Sequence, residues 1–433
     1  MHDKRRRFRR LSQSTEKEGG TRLDTIFDMN HRERILATIR GEATDEIPWA
    51  PRMDLWQIAQ RIRGTLPDRF VGKNTVEIAK ELGVACHSMG GDYTQSGGAD
   101  SSLRGFGLTN HRDHPFKVVL RDFPVETGGD GENSHTLIKT PVGDVTTHLY
   151  HSTQMRSDGI SLPFFKSHAI ESVDNFEAVA LVFEHLEVIP TPEAYRSYHK
   201  RMGSQGVAVA MGLVAASPIH LMLHELIAMD KFFYFWEDER QAMRELAERM
   251  TPFYTAVLDV LADSDAEVVF WGANYDQDLT WPPFFAEEIV PWLKMASDRL
   301  HKAGKLLLTH TDGENRDLLP LYRETGMDIA DSVCPAPMTK CTLKEIREGM
   351  GDNITVSGGI PSIALLPSSM NDEEFDAHLD DLFGSLGSGG KVILGVSDNV
   401  PADADLNRLE KIKNRVASFG PVNEPARQGT ALL

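Results

Sequence analysis

The feature that most constrains the fold is a repeated alternation of short apolar runs with amphipathic segments in the second half of the chain. The short runs indicate buried strands, and the longer periodic segments after them indicate helices. Consecutive units with short linkers favour an α/β fold, a closed (β/α)8 TIM barrel, over an open sheet. No Gly-x-Gly-x-x-Gly motif follows a strand, which argues against a dinucleotide-binding fold. Strands are predicted at 207–211, 267–271, 305–308, 329–333, 354–357 and 391–394, and helices at 218–229, 239–261, 283–303, 316–324, 343–349, 373–386 and 404–419.

The first half of the chain does not show this alternation of strands and helices. A helix is predicted over 31–40, an extended segment at 47–51 and a strand at 84–86. The stretch of about 105–150 alternates between apolar and polar residues and contains turn signals. That pattern is typical of β-hairpins, so a β-rich insertion is expected in the first half of the barrel.

The two ends of the chain differ from its middle. Residues 1–28 carry a basic cluster followed by polar residues, with no apolar segment after the charges. This excludes a secretory signal and predicts a disordered basic tail. The barrel is predicted over 29–420, and a flexible tail over 421–433.

Composition narrows the function classes. The chain has 433 residues and a formal net charge of −18, which argues against nucleic acid or an anionic membrane as a partner. No apolar run approaches transmembrane length. Three cysteines are too few for a disulfide framework, so a cytoplasmic location is expected. A homodimer is compatible with this composition, which does not fix the oligomeric state.

Polar residues cluster where the predicted strands end. The carboxyl ends of parallel strands meet on one face of a β/α protein, so these residues are expected at a common mouth. His310 and Asp312 lie two residues apart and should point the same way, because strand side chains alternate. The residues at the mouth are Arg52, Asp54, Asn274, Asp276, His310, Asp312, Cys334, Gly358, Gly359, Ser397 and Asp398.

Three of these residues could hold a metal. Imidazole, carboxylate and thiolate are zinc ligands, and a catalytic zinc usually has three protein ligands and one open position. His310, Asp312 and Cys334 supply one group of each kind. The sequence therefore predicts a zinc site at the end of the His310 strand.

Each of these residues also has a structural interpretation. His310 could serve only to hydrogen-bond neighbouring loops. Asp312 precedes Gly313 and could be the N-cap of the next helix. Cys334 could be a small buried apolar residue. Gly358 and Gly359 could form a tight turn, or could let backbone amides approach a ligand.

The order of these elements resembles the uroporphyrinogen decarboxylase superfamily, which includes corrinoid-dependent methyltransferases. The likeness runs over about 29–420. It implies a TIM barrel with its active site at the mouth. The passages that resemble the family are its opening helix and first strand at 31–42 and 45–48, a segment at 278–285, its metal strand at 308–313, and its last two strands at 357–360 and 393–399.

This chain differs from the motifs of the family, and the differences indicate which branch of the family it resembles. Uroporphyrinogen decarboxylases carry Arg-Gln-Ala-Gly-Arg near the first strand to hold tetrapyrrole carboxylates, whereas this chain has Pro-Arg-Met-Asp-Leu-Trp at 51–56. Methyltransferases of coenzyme M carry His-x-Cys and a later Cys as zinc ligands. Here Asp312 replaces the first Cys, and the second falls near Ser397. An oxygen-richer site suits a Lewis acid that polarises a methyl ether.

The resemblance therefore implies methyl transfer from a small donor, such as a methoxylated aromatic, to the cobalt of a separate corrinoid protein. His310 and Asp312 would bind zinc or protonate the leaving oxygen, and Asp54 is a further catalytic candidate. A cofactor-free decarboxylase of an aromatic or tetrapyrrolic acid and a non-catalytic barrel that binds a corrinoid or porphyrin remain alternatives. The predicted substrate-binding residues are Arg52, Trp271, Asn274, Tyr275, Asp276, Gly359, Ser397 and Asp398.

Overall fold

The computed structural model describes residues 28–87, 89–92, 94 and 102–422. The tails predicted for 1–28 and 421–433 lie almost wholly outside the described residues. The strands are β1 (Phe116–Leu120), β2 (Val125–Gly129), β3 (Asn133–Thr140), β4 (Gly143–Tyr150), β5 (Phe164–Ser167), β6 (Leu186–Pro190), β7 (Val209–Met211), β8 (Val268–Ala273), β9 (Leu306–His310), β10 (Ile329–Val333), β11 (Thr355–Pro361) and β12 (Val392–Ser397). The helices are α1 (His31–Arg40), α2 (Asp54–Arg63), α3 (Thr75–Leu82), α4 (Thr153–Ser157), α5 (Phe176–Glu184), α6 (Pro192–Met202), α7 (Pro218–Leu221), α8 (Met229–Asp238), α9 (Arg240–Asp263), α10 (Pro282–Phe284), α11 (Val290–Lys302), α12 (Leu319–Thr325), α13 (Leu343–Met350), α14 (Asp372–Ser385) and α15 (Leu406–Phe419).

A parallel sheet of six strands, in the order β12-β11-β10-β9-β8-β7, forms most of the barrel. All pairs of neighbours in this sheet are parallel. The strands are buried on both faces, since the barrel interior covers one face and the helices cover the other. The alternation of strands and helices predicted from the sequence is thereby confirmed, and it forms β/α units.

Two short segments close the ring. Trp49 pairs in parallel with Leu394 of β12, and Cys86 pairs in parallel with Gly206, just before β7. The two segments are joined to each other, because the backbone N–H of Ala85 donates to the carbonyl of Trp49 at 2.8 Å. The predicted (β/α)8 TIM barrel is confirmed.

Helix α1 closes the amino-terminal end of the barrel. Its side chains Ile35, Leu36 and Ile39 pack into one buried cluster with inward-facing residues of the strands. The Lys391 ammonium, at the start of β12, donates to the carbonyl of Ile39 at 2.7 Å. Because this end is filled, the open end of the barrel is the carboxyl end, where the polar residues collect.

The insertion is longer than the sequence indicated. Strands β2 to β5 form an antiparallel sheet, and β1 pairs antiparallel with β6. The insertion thus lies between the second and third strands of the barrel and extends to Pro190, beyond the expected limit near 150. The later part was missed because helices α4 and α5 separate its strands.

The predicted helix at 218–229 is wrong in detail. The chain forms the short α7, then a π-helical segment over Met222–Leu226, and then turns into α8. The extra residue in each turn re-aims side chains, and such segments are frequent at functional sites. No helix among the described residues is long and apolar enough to span a membrane.

The apolar side chains of α1 that fill the amino-terminal end of the barrel make a testable contribution to stability. Ile39 is 4% exposed, so Ile39→Ala leaves a cavity at the closed end and should lower the free energy of unfolding by about 2–5 kcal/mol. The matched control is Ile62→Ala, because Ile62 is 38% exposed on α2 and should change stability by about 0.5 kcal/mol or less. Chemical denaturation followed by circular dichroism measures both. Equal losses of unfolding free energy in the two variants would contradict this role of α1.

Candidate active site

His310 ends β9 and faces the barrel interior. Leu306, Leu308 and His310 alternate with residues that face the helices, so the strand's own period aims the imidazole inward. His310 is 4% exposed. Its register partner on β10 is Asp331, which places a carboxylate beside the imidazole.

The Asp331 carboxylate joins two histidines. Its Oδ2 lies 2.9 Å from His310 Nδ1, and its Oδ1 lies 2.7 Å from His87 Nε2. The hydroxyl of Ser357, on β11, donates to Oδ1 at 3.0 Å. Since a carboxylate only accepts, each imidazole donates an N–H to it. We call His87, Asp331 and His310 the His–Asp–His centre.

In this centre, the charge of each group shifts the pKa of the group beside it. Burial alone would raise the pKa of Asp331, but His87 and His310 hold it well below its ordinary value. Burial alone would lower the pKa of His310, but Asp398 and Asp331 outweigh it and raise that pKa above its ordinary value. The centre is thus an ionised carboxylate with a protonation-prone imidazole, His310.

Arg52 connects the first barrel segment to the last strand. Its guanidinium contacts Asp54 through Nε at 3.0 Å and through Nη2 at 3.2 Å, and it contacts Asp398 through Nη1 at 2.8 Å. Burial lowers the pKa of Arg52, but these two carboxylates raise it above its ordinary value. Asp398 Oδ1 also lies 3.7 Å from His310 Nε2. The structure therefore brings together Arg52, Asp54, His310 and Asp398, four of the predicted site residues.

Asp312 lies in the turn after His310. Its Oδ1 accepts the N–H of Gly313 at 3.0 Å, and burial raises its pKa although His310 partly opposes this. The N-cap interpretation of Asp312 is wrong, because the next helical turn begins only at Arg316. Asp312 remains a polar group close to His310.

The predicted zinc ligands do not form a metal site. Among the described residues, no group of three or more His, Cys, Asp and Glu side chains is arranged to hold a metal ion. His310, Asp312 and Cys334 are therefore not arranged as a zinc site in this structure.

Of the predicted substrate-binding residues Asn274 and Asp276, which follow β8, one instead supports loops. Asn274 has a left-handed backbone with φ of 59°, and its side-chain amide lies 3.1 Å from His224 Nε2, at the mouth. Asp276 accepts the N–H groups of Asp278 at 2.8 Å and Glu314 at 3.0 Å. Asn274 thus stays at the mouth, whereas both carboxylate oxygens of Asp276 hold the loops after β8 and β9.

Trp271 and Tyr275 do not line the mouth, contrary to expectation. The indole of Trp271 donates to the carbonyl of Ala216 at 3.0 Å and packs edge-on against Tyr254 of α9. The Tyr275 hydroxyl lies 2.9 Å from the hydroxyl of Thr309, and its ring stacks on His220. Both belong to the layer between strands and helices, because Val268 and Phe270 take the inward positions of β8.

Ser397 and the glycine pair also have structural contacts. The Ser397 hydroxyl donates to the carbonyl of Val333 and accepts the N–H of Gly359 at 3.3 Å. A Cβ on Gly358 would lie 2.6 Å from the Val333 carbonyl oxygen, and one on Gly359 would lie 3.2 Å from Leu343. These positions serve close packing of β10, β11 and β12, rather than contact with a ligand.

His87 and Asp331 were missed by the sequence analysis. His87 directly follows the predicted strand at 84–86, which was the same signal that singled out His310. Asp331 is a charged residue in the middle of a buried strand, and a charge there is seldom buried without a partner. The sequence could not show that these two residues meet, because 244 positions separate them.

A small cleft of about 20 Å³, with room for about one water molecule, opens beside the His–Asp–His centre. Its lining includes Arg52, Asp54, His87, Thr75 and Asp92. The cleft therefore lies between a residue of the centre, His87, and the start of α3.

Barrel and site together define a β/α-barrel protein with a histidine–carboxylate centre at the carboxyl end of the strands. The family model described as uroporphyrinogen decarboxylase (URO-D) matches residues 152–419. The chain belongs to the uroporphyrinogen decarboxylase family, as its sequence predicted. Arg52, Asp54 and His87 precede the matched segment.

A solved structure has a similar fold. A methyltransferase from Methanosarcina mazei has a TM-score of 0.54 and 13% sequence identity, and the likeness covers 90% of this chain and 99% of that one. At this identity the likeness shows the fold. No curated protein sequence matches the chain.

Removing the bridging charge should change the titration of His310. In Asp331→Asn we expect the pKa of His310 to fall, because a neutral amide no longer stabilises the imidazolium. NMR titration of histidine-labelled protein measures this. Ser357→Ala is the matched control, since it removes one hydrogen bond to Asp331 and keeps the charge. An unchanged His310 pKa in Asp331→Asn would contradict the described pairing.

Zinc content gives a second test of this site. Because His310, Asp312 and Cys334 are not arranged to hold a metal ion, we expect wild type and His310→Ala to contain the same zinc, far below one equivalent. Plasma mass spectrometry of both proteins, purified in parallel without added chelator, measures it. One zinc per chain that is lost in His310→Ala would overturn the fit argument and restore the predicted zinc site.

Proposed function

We propose that this protein transfers a methyl group from a small methylated donor, such as a methoxylated aromatic, to a separate corrinoid protein. The observation that carries the proposal is the His310 imidazole, which two carboxylates keep ready to hold a proton at the open end of the barrel. A methyltransferase shares this fold, and the proposal extends that activity to this chain on the strength of the His–Asp–His centre.

His310 would act as the general acid. Its Nδ1–H is used by Asp331 at 2.9 Å, so the proton that can move is the one on Nε2. When the C–O bond of the donor breaks, its electron pair stays on oxygen, and that oxygen takes the Nε2 proton. A corrinoid carried by the partner would supply the nucleophile that takes the methyl group, while this chain would supply the proton to the leaving oxygen.

Asp331 and Asp398 would prepare this acid. Asp331 fixes the orientation of the ring and favours the protonated form, as a carboxylate partner does for a catalytic histidine. Asp398 lies 3.7 Å from Nε2 and is itself held by Arg52. Arg52 and Asp54 thus act on the acid through Asp398, rather than on the donor directly.

The decarboxylase alternative receives less support from the geometry. It required Arg52 to anchor a substrate carboxylate, but the guanidinium already faces Asp54 and Asp398, two negative charges against one positive charge. Release of carbon dioxide without any corrinoid would favour that alternative. A bound tetrapyrrole-type chromophore without turnover would favour the non-catalytic alternative.

The corrinoid partner, the methyl donor, a cytoplasmic location and a homodimer stay predictions. The whole sequence has a formal net charge of −18, so a partner would meet an acidic chain. A complementary partner surface near the mouth would be basic.

Activity should depend on His310. With free cob(I)alamin and methoxybenzene-type donors, His310→Gln should lower the rate constant by about 10²–10⁴-fold, the usual contribution of a general acid. Loss of the cob(I)alamin absorbance measures methyl transfer. His301→Gln is the matched control, because His301 is exposed on α11 and contacts Asp328 and Ser297, which lie outside the site. A His310→Gln enzyme as fast as wild type would falsify the assignment.

The pH profile gives a further control on the same reaction. The acid must be protonated, so the rate should fall as pH rises through the folded pKa of His310, which lies above its ordinary value. In Asp331→Asn the fall should begin at lower pH. A profile that does not move between the two proteins would exclude His310 as the titrating group.

A further inference from the structure

The antiparallel sheet of the insertion has one face covered by protein and one face in solvent. Along β4, Val145, Thr147 and Leu149 are buried, whereas the residues at the intervening positions are exposed or half-buried. A Cβ on Gly105 would collide with the side chain of Thr147, so the covered face is closely packed. Because strand side chains alternate, every second residue of β3 and β4 lies on the solvent face.

Two histidines lie directly opposite each other on this solvent face. His135 of β3 and His148 of β4 are register partners in the antiparallel pair. Residues in such positions have Cβ atoms about 4.5–5.5 Å apart, so their side chains can contact the same ligand. The centroids of the two imidazole rings are 4.6 Å apart, and the ring planes are tilted by 54°. His135 is exposed and His148 is half-buried, so solvent reaches both rings. We call these two residues the histidine pair.

The surroundings of His148 favour a neutral ring with a free lone pair. Its Nε2 lies 3.2 Å from Asn133 Oδ1, which only accepts, so Nε2 carries the hydrogen and Nδ1 carries the lone pair. Partial burial is the main reason that the pKa of His148 lies below its ordinary value, and His135 and Lys166 add to this effect. The carboxylate of Asp130 opposes it only in part. A neutral imidazole is the form that binds a metal ion.

The separation of the two rings suits a shared metal ion. Histidine nitrogens lie about 2.0–2.1 Å from zinc in a tetrahedral site, so two of them are about 3.3 Å apart. Rings whose centroids are 4.6 Å apart reach this separation by rotation about their side-chain bonds. Imidazole is a suitable ligand for zinc, copper and nickel. No third His, Cys, Asp or Glu completes a ligand set among the residues that the structure describes, so water would fill the other positions.

We propose that the histidine pair is a surface site for a divalent transition-metal ion such as zinc, with water in the remaining positions. The site is separate from the His–Asp–His centre and does not depend on the proposed reaction. With two protein ligands, it binds zinc more weakly than the three-ligand set of a catalytic site, so the ion exchanges with solvent and is lost during purification. The bound ion joins β3 to β4, which are the two central strands of the inserted sheet.

Titration of the full-length protein with zinc chloride tests the site. The protein is first freed of metal with a chelator, and isothermal titration calorimetry at neutral pH then measures the affinity and the stoichiometry. We expect wild type to bind one zinc ion with a dissociation constant in the micromolar range. His135→Gln and His148→Gln should each bind zinc at least about 10-fold more weakly, a difference of about 1.4 kcal/mol, because either change removes the chelate. Zinc affinity that is unchanged in both variants would overturn the proposal.

His199→Gln is the matched control for these two variants. His199 is a half-buried histidine of α6, and its ring packs against Tyr195. The change removes one imidazole from the protein but leaves the histidine pair intact, so the zinc affinity should stay that of wild type. An equal loss of affinity in all three variants would contradict a site at the histidine pair.

NMR of histidine-labelled protein shows where the zinc binds. Less than one equivalent of zinc should shift the ring signals of His135 and His148 before those of the other histidines. The two variants assign these signals, because each lacks one of them. If the signals of His87 or His310 shift first, the metal binds at the barrel mouth and the proposal is wrong. The measurement needs neither donor nor corrinoid, so its result is independent of methyl transfer.

Discussion

The shared carboxylate of Asp331 is the interaction on which the site depends. A buried charge is costly unless it is paired and hydrogen-bonded, and this one has two imidazoles and a hydroxyl around it. Its partners come from the second barrel segment, from β9 and from β11. One carboxylate therefore ties together strands from opposite halves of the chain and, with Asp398, raises the pKa of His310.

The two ends of the barrel have different roles, one in stability and the other in the chemistry of the site. At the amino-terminal end α1 fills the interior with apolar side chains. At the carboxyl end the interior is filled by charged groups that satisfy one another, namely the His–Asp–His centre and the Arg52 pairs. This division is general for β/α barrels, because the loops after the strands can vary without disturbing the closed end.

The fold was largely predictable because it rests on local patterns. Apolar runs gave strands β7 to β12, and the period of two within β9 aimed His310 at the interior. The same rule failed at the end of β8, where the register shifts between Phe270 and Ala273 and the backbone turns left-handed at Asn274. An irregularity of this kind changes the face on which later side chains lie, so Tyr275 was placed in the pocket wrongly. Trp271 follows the alternation and faces the helices, because its neighbour Phe270 faces the interior.

The sequence by itself determined the β/α barrel, the position of His310 at a strand end, and the collection of Arg52, Asp54 and Asp398 at one mouth. These follow from periodicity and from the common direction of parallel strands, which are local properties. Only the tertiary structure decided which groups meet. The contact of His87 with Asp331 and of Arg52 with Asp398 spans 244 and 346 positions of the chain, respectively. Such pairs depend on barrel closure and register, which no local pattern encodes.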